Sequence, residues 1–268
     1  MLAVSSSGYY ARRVRPASRR SQANRELITQ MRIIHAESHQ TYGSPRIHAE
    51  LVARGFSASE NRVARLMKTH RICAQRPQKR KTTTDSHHPY PVAPNLLNRE
   101  FWAERPNEKW LSDITYIWTA QGWLYLAAVL DLFSRKVVGW AMDNSLESDL
   151  VENAFRMAVH NRSPQAQLLH HSDRGSQYAA TSYQNQLAAH QVRVSMSRTG
   201  NCYDNAPMES FFSTLKGEHI AWRNYQSRAE ARTSIFAYIE GFYNRTRRHS
   251  SLGYLSPEEF ERRYHQLA

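Results

Sequence analysis

Three β-rich segments follow one another closely in the middle of the chain, and they constrain its fold more than any other feature. LSDITYIW (111–118) is rich in β-branched and aromatic residues, WLYLAAVLDLF (123–133) is a long apolar run, and KVVGWAMD (136–143) has the same character. The breaks between them, around Thr119–Gly122 and at Ser134–Arg135, have room only for tight turns. This spacing predicts an antiparallel three-stranded meander. Beyond it the character alternates. Leu150, Ala154, Met157 and Ala158 recur at helical spacing in 148–161, and 167–173 reads as a short apolar strand. A helix over 176–190, a strand over 192–196 and a helix over 206–217 follow. Three antiparallel strands and then helix–strand alternation give an α/β fold with a mixed sheet covered by helices on both faces. A long helix over 227–247, rich in aromatics and arginine, and a Pro-started helix in SPEEFERRY close the chain.

The upstream third is different. Leu27, Met31 and Ile34 predict a helix over 24–38. Ser44 and Pro45 start another, with Ile47 and Leu51 on one face and Gly55 at its end. Ser57 or Ser59 caps the next, which sets Val63, Leu66 and Met67 on one side and Arg62, Arg65 and Lys68 on the other. Helix, Gly-containing turn and basic helix over about 42–72 form a helix-turn-helix pattern, a shape shared with hairpins that bind nothing. Residues 1–20 read as a loose Ser/Arg-rich lead-in. Residues 75–98, with four prolines and the basic cluster Lys79, Arg80 and Lys81, read as a linker. The expected organisation is a basic helical region over 1–74, the linker, an α/β core over 99–220 and a helical extension over 221–268.

Charge follows the same division. The net charge is +13, and residues 1–85 hold 17 Lys+Arg against 5 Asp+Glu, while the remainder holds 19 against 18. A basic arm on a nearly neutral body suits binding to a polyanion such as DNA; a solvated basic tail is the plain alternative. At 41% hydrophobic the chain can bury a core, and it is not a disordered one. It holds no apolar run long enough to span a membrane, and Met1–Tyr10 lacks a signal-peptide pattern. Cys73 and Cys202 are too far apart to build a zinc site and suit a reducing cytosol.

Three acids stand out by position. Asp113 sits inside a strand, Asp173 at the end of one, and Glu209 in the first turn of a helix, after Asn205 as its expected cap and Pro207 as its starter. An isolated carboxylate in a strand is commonly an edge or ion-pair residue, because burying it alone is costly. Three from separate elements that converge would suit hard divalent cations, which take oxygen ligands. Two such ions about 4 Å apart can assist an in-line displacement at phosphorus.

SDITYI (112–117), DLFSRKVVGW (131–140), HSDRGSQY (171–178), SMSRTGNCYDNAPMESFFSTLKGE (195–218) and YNRTRRHSSLGYLSPEEF (243–260) together resemble the DDE integrase-core transposases. The nearest likeness is to second-frame (OrfB) products of the insertion-sequence-three family. The 35 residues between Asp173 and Glu209 match that family's gap, and Lys216 falls where it carries a basic residue. Lys216 lies two helical turns beyond Glu209, on the same face. The resemblance implies a ribonuclease-H-like fold and Asp113, Asp173 and Glu209 as catalytic, metal-binding residues. It also implies two magnesium or manganese ions per site, with hydrolysis at element ends followed by strand transfer. The implied partners are double-stranded DNA, further copies of the chain assembled on it, and the first-frame (OrfA) product or a frameshift fusion with it. The implied place is the bacterial cytoplasm, at the nucleoid.

Around this centre several roles stand open. Lys216 suits a DNA phosphate or a surface ion pair. Arg245, Arg247 and Arg248, beside Tyr243 and His249, suit phosphate contact or a solvated helix end. His170 or His171 could orient Asp173, or simply fill the strand end. Asp131 reads as a turn cap before a metal ligand. Asn201, Tyr203, Asp204 and Asn205 could touch DNA or only shape a turn. A DNA-binding regulator would explain the charge and leave the three acids unexplained, and a plain nuclease of the same fold would cut without joining.

Overall fold

The structure is a computed structural model that describes residues 5–75, 92–164, 167–198 and 202–267. The chain divides into two compact units, 1–75 and 76–268.

In the first unit, α1 (Ser6–Val14) and the first turn of α2 (Arg19–Glu37) occupy the stretch expected to be a loose lead-in, and the rest of α2 is the helix expected over 24–38. The reason is capping. The Ser5 hydroxyl accepts the Gly8 N–H and the Ser18 hydroxyl accepts the Ser21 N–H, so two serines start helices that weak apolar periodicity conceals. α3 (Ser44–Ala53) begins at Ser44–Pro45 as expected, and Gly55 takes a positive φ of 82° just beyond it. α4 (Glu60–Thr69) is capped by Ser59, which accepts the Arg62 N–H. Leu27, Met31, Ile34, Ile47, Leu51, Val63, Leu66 and Met67 are all buried, so the three helices share one small core.

The second unit is built on a five-stranded sheet in the order β3-β2-β1-β4-β5. β1 (Lys109–Thr119), β2 (Gly122–Asp131) and β3 (Val137–Asp143) form the antiparallel meander, and β4 (Leu169–Ser172) and β5 (Arg193–Met196) join parallel to β1. Parallel strands need crossovers, and helices supply them. α5 (Ser148–Arg162) links β3 to β4, while α6 (Ser176–Ala179) and α7 (Thr181–Ala189) link β4 to β5. The helix expected over 176–190 is thus broken at Ala180. These helices bury Phe155, Tyr178, Tyr183 and Leu187 with Trp110 and Val129 of the sheet. α5 lies so close to β3 that a Cβ on Gly139 would sit 2.3 Å from the Ala154 carbonyl oxygen.

α8 (Ala206–Glu218) packs against β1 and buries Met208, Phe211, Phe212 and Leu215. The helix expected over 227–247 is α9 (Arg228–Phe236), continued as a wider π-helical stretch, Ala237–Tyr243. Asn244 follows, and its side-chain amide bonds both ways to Val137 of β3: the Val137 N–H donates to Oδ1 and Nδ2 donates to the Val137 carbonyl, each at 2.9 Å. That amide takes the place of a partner strand on an open sheet edge. α10 (Pro257–Leu267) is tied down by Glu261, which accepts from Ser134 Oγ at 2.7 Å and from both terminal nitrogens of Arg162 at 2.8 Å. Among the described residues, no helix is long and apolar enough to cross a membrane.

Candidate active site

The β1–β4 pairing places the first two acids. Lys109 pairs with Leu169, Trp110 with His170 and Leu111 with His171, a constant offset of 60. Carried two residues further, the same offset sets Asp113 beside Asp173, the first residue beyond β4. Neighbouring strands lie about 4.8 Å apart, so two carboxylates share one end of the sheet. Asp113 Oδ1 accepts the Ile114 N–H at 2.7 Å, and Asp173 Oδ1 accepts the Gly175 N–H at 2.8 Å. Burial pushes the Asp113 carboxyl well above the ordinary carboxylate range, and the charge of Asp173 adds to that push. Glu209 raises it further by a smaller amount, and Lys216 acts in the opposite direction.

Glu209 reaches this region because α8 is anchored beside Asp113. Asn205 Nδ2 donates to the Ser112 carbonyl at 3.2 Å, one residue before Asp113. Asn205 therefore does not cap α8 with its side chain as expected; it docks the helix start on β1, and its own Oδ1 is buried without a partner. Glu209 itself is exposed and its carboxyl is raised by partial burial, whereas Asp113 is half-buried. Lys216 is half-buried, its ammonium pushed down by burial and supported by the charge of Asp113. Among the described residues no three His, Cys, Asp or Glu side chains lie close enough together to hold a metal ion. Asp113 and Asp173 come together, and Glu209 stands further out.

The turn before α8 owes its shape to Asp204. Its buried carboxylate accepts from Arg198, Arg99 and Asn95, each at 2.9 Å, and Arg198 first and then Arg99 hold it well below the usual range. The sequence offered no signal for this clamp, because Asn95 and Arg99 are over a hundred residues away. Asp131 anchors a turn: Oδ1 accepts the Phe133 N–H at 2.9 Å and Oδ2 the Asn107 N–H at 2.8 Å, with burial raising its carboxyl to about 6.

Other expected site residues lie elsewhere. His171 does not orient Asp173. Its Nδ1 meets Ser195 Oγ at 2.8 Å and its Nε2 meets Ser197 Oγ at 3.1 Å, so the ring ties β4 to the strand and loop of β5. His170 Nε2 meets Ser112 Oγ at 2.8 Å and Tyr183 OH at 3.1 Å. Burial lowers these imidazoles to about 4 and about 3, so both are neutral structural groups. Arg247 is not available to DNA either. It is buried, with Nε and Nη2 donating to Glu218 at 2.7 and 2.6 Å, because a desolvated guanidinium requires a carboxylate. Arg248 donates to the Tyr254 carbonyl at 3.0 Å, and Arg245 is exposed, 3.7 Å from Glu258.

In the first unit, Arg62 grips Asn24 Oδ1 through Nε and Nη2 at 3.0 and 2.8 Å and so ties α4 to α2. Arg65 and Lys68 are exposed on α4. Arg19, Arg20, Arg62 and Arg65 line a groove of about 750 Å³ between the starts of α2 and α4. Arg19 and Arg20 were hidden in the supposed lead-in, although their place in the N-terminal charge run was visible. Lys79, Arg80 and Lys81 lie outside the described residues.

Sheet order and connections define a ribonuclease-H-like fold preceded by a helix-turn-helix-like region, and the family matches make the chain a DDE-type polynucleotidyl transferase. Integrase core domain families match residues 103–202 and 190–257, and an HTH-like domain family matches 22–80. The chain belongs to the insertion-sequence-three family of transposases. It is 42% identical to Transposase InsF for insertion sequence IS3A of Escherichia coli (strain K12), over 97% of this chain and 91% of that one. It is also 44% identical to the insertion element IS600 uncharacterized 31 kDa protein of Shigella sonnei, over 99% and 97% of the two chains. Among solved structures, a chain of the simian T-cell lymphotropic virus intasome in complex with PP2A regulatory subunit B56 gamma shares the fold. The TM-score is 0.50 at 13% identity, covering 85% of this chain and 73% of that one.

Proposed function

We propose that Asp113, Asp173 and Glu209 are the catalytic carboxylates of this transposase, and that they hold divalent metal ions, two of magnesium or manganese, against a DNA phosphate. The observation that carries this reading is the Asp113–Asp173 pair. Two carboxylates side by side, one of them pushed well above its ordinary range, are a site short of positive charge. Magnesium retains water and takes only one or two carboxylates plus substrate phosphate, so this pair fits it, and Glu209 on the anchored start of α8 completes the set when DNA is present. Bound there, the ions supply the charge that activates an attacking oxygen and stabilises the leaving one. Asp113 and Asp173 flank the scissile phosphate, Glu209 approaches from the helix side, and Lys216 meets a neighbouring phosphate. Water attacks first and frees a 3′-hydroxyl at an element end; that hydroxyl then attacks a phosphodiester of the target.

Arg65 and Lys68 of α4, the groove arginines, and Arg245 and Arg248 track the duplex backbone, as do Lys79, Arg80 and Lys81. Joining two ends requires several copies of the chain on double-stranded DNA. Selection of the element end rests with the first-frame (OrfA) product or a frameshift fusion, so this chain by itself binds DNA with little sequence preference. It works at the nucleoid, in the bacterial cytoplasm. The test uses a labelled pre-cut end with a target duplex. The wild-type chain joins the two, and Asp173→Asn binds DNA without cutting or joining. Cutting without joining by the wild type would make the chain a nuclease; undiminished activity in Asp173→Asn would overturn the assignment.

A further inference from the structure

Asp204 and Asn205 lie side by side at the end of the turn Cys202–Asn205, which runs straight into α8. Each ties the start of that helix to a different part of the sheet. Asn205 holds it to β1, through the carbonyl of Ser112, the residue before Asp113. Asp204 holds it from the other side. Its side chain is fully buried, and five donors converge on it, each at 2.9 Å. Oδ1 accepts from Arg99 Nε and Arg198 Nη2, and Oδ2 accepts from Asn95 Nδ2 and from the N–H and Nε of Arg198.

Those donors are themselves fixed to the strands beside Asp173. The segment holding Asn95 and Arg99 is pinned by Ser195 of β5, whose Oγ accepts the Leu96 and Leu97 N–H groups at 2.9 and 3.2 Å. The same Oγ meets Nδ1 of His171, two residues before Asp173, at 2.8 Å. Arg198 follows Ser197, whose N–H donates at 3.0 Å to the carbonyl of Ser172, the residue before Asp173. A continuous set of hydrogen bonds therefore runs from the end of β4 through Asp204 to α8. Met208, Phe211, Phe212 and Leu215 press the helix onto the sheet, but apolar burial is non-directional and lets a helix turn or slide. Directional polar ties at its start fix both motions, and a slip of one residue would turn the helix by about 100°.

Strand pairing places Asp113 and Asp173, whereas Glu209 is placed by where α8 begins. Glu209 stands five residues after Asp204, about 7.5 Å along the helix axis. We infer that Asp204 is a positioning residue for Glu209: together with Asn205 it sets the start of α8 from both acid-bearing strands, so that Glu209 can join the carboxylate pair around a divalent ion. The inference rests on Glu209 being a metal ligand. Asp204 is buried behind its donors, so it acts through the helix and is not itself a ligand. The site also requires a carboxylate. An asparagine would turn its own NH2 donor toward the donors of one oxygen, and whichever way the amide faced, two or three of the five bonds would be lost.

The full chain, saturated with a pre-cut DNA end, is titrated with manganese ion, and the free ion is read by electron paramagnetic resonance. Asp204→Asn should weaken manganese binding about 10- to 100-fold, the range for a group that holds a metal ligand in place. Arg99→Gln removes one donor from a half-exposed side chain and should weaken it less, in the same direction; it carries the test if the buried substitution does not fold. Glu209→Gln should also weaken binding, and adding Asp204→Asn to it should cost nothing further, because the clamp then has no ligand to place. In the metal-free protein, amide exchange should quicken over the first turn of α8 in Asp204→Asn, with β1 and β4 unchanged. Manganese affinity equal to wild type in both Asp204→Asn and Arg99→Gln would overturn the positioning role. So would losses that multiply in the double variant, or exchange at the start of α8 that does not change. Wild-type manganese affinity in Glu209→Gln alone would instead sink the assignment of Glu209 as a ligand, whatever Asp204→Asn does.

Discussion

Replacing Asp113 with Asn should make the metal-free protein more stable while removing its activity. The amide keeps the shape of the carboxylate and can still accept the Ile114 N–H, so packing is conserved. What changes is charge. With Asp113 and Asp173 on neighbouring strands, about 5 Å apart, and an effective dielectric of about 20, the repulsion between two full charges is about 3 kcal/mol. The amide removes that repulsion, so a gain of about 1–3 kcal/mol is expected at neutral pH. For a folded unit of this size that is roughly 2–12 °C in Tm. The sign with pH follows from the raised carboxyl. A folded-state value above the unfolded one makes the contribution of Asp113 complete in acid and lost as pH rises through the folded value. Melting the full chain in chelator across pH should therefore show wild type losing stability as pH climbs, with Asp113→Asn lacking that step. Adding magnesium should raise the wild-type Tm more than that of the variant, since a cation offsets the same repulsion. A variant that melts at or below wild type in chelator at neutral pH would refute the idea that these two acids oppose one another.

Glu218→Gln leaves the buried Arg247 without its counter-charge and should cost about 3–5 kcal/mol by denaturant unfolding. Gly139→Ala forces a methyl group against the α5 backbone and should cost about 1–3 kcal/mol or more, read as a lower Tm with unchanged DNA binding. Arg65→Ala and Lys68→Ala should each weaken DNA binding equally across sequences and reduce the slope of log affinity against log salt by about 1. His170 and His171 are held neutral to about 3 and about 4, whereas an unfolded histidine protonates near 6.5. The unfolded chain therefore binds more protons in that window, and stability should fall as pH drops from about 6.5 toward 4. His171→Gln should flatten part of that slope.

Much of the site was legible because it depends on local pattern. Alternating and apolar runs mark the strands, and the strand ends fix where Asp113 and Asp173 fall. The offset of 60 between β1 and β4 that sets them side by side belongs to the pairing, which no local pattern states. Local pattern also misled. Arg247 looked like part of an exposed basic patch because Arg245 and Arg248 flank it, and only the approach of Glu218 on α8 makes it an interior ion pair. His171 adjoins Asp173 in sequence by two residues, which on a strand points both side chains the same way, yet Ser195 of the next strand and Ser197 just beyond it take its ring.

The sequence alone determined the basic arm and its division from the neutral body, because charge and periodicity are properties of the covalent chain, and its motifs carried the family resemblance that gave the class of chemistry and singled out the three acids proposed for it. Tertiary structure decided which charges face water and which face each other. It buried Arg247 and both histidines, brought Asn95 and Arg99 to Asp204 across a hundred residues, and braced the hairpin that holds Trp118 and Trp123 out in solvent. Those outcomes depend on desolvation and on contacts between remote elements, and both exist only once the sheet has been assembled and its helices laid over it.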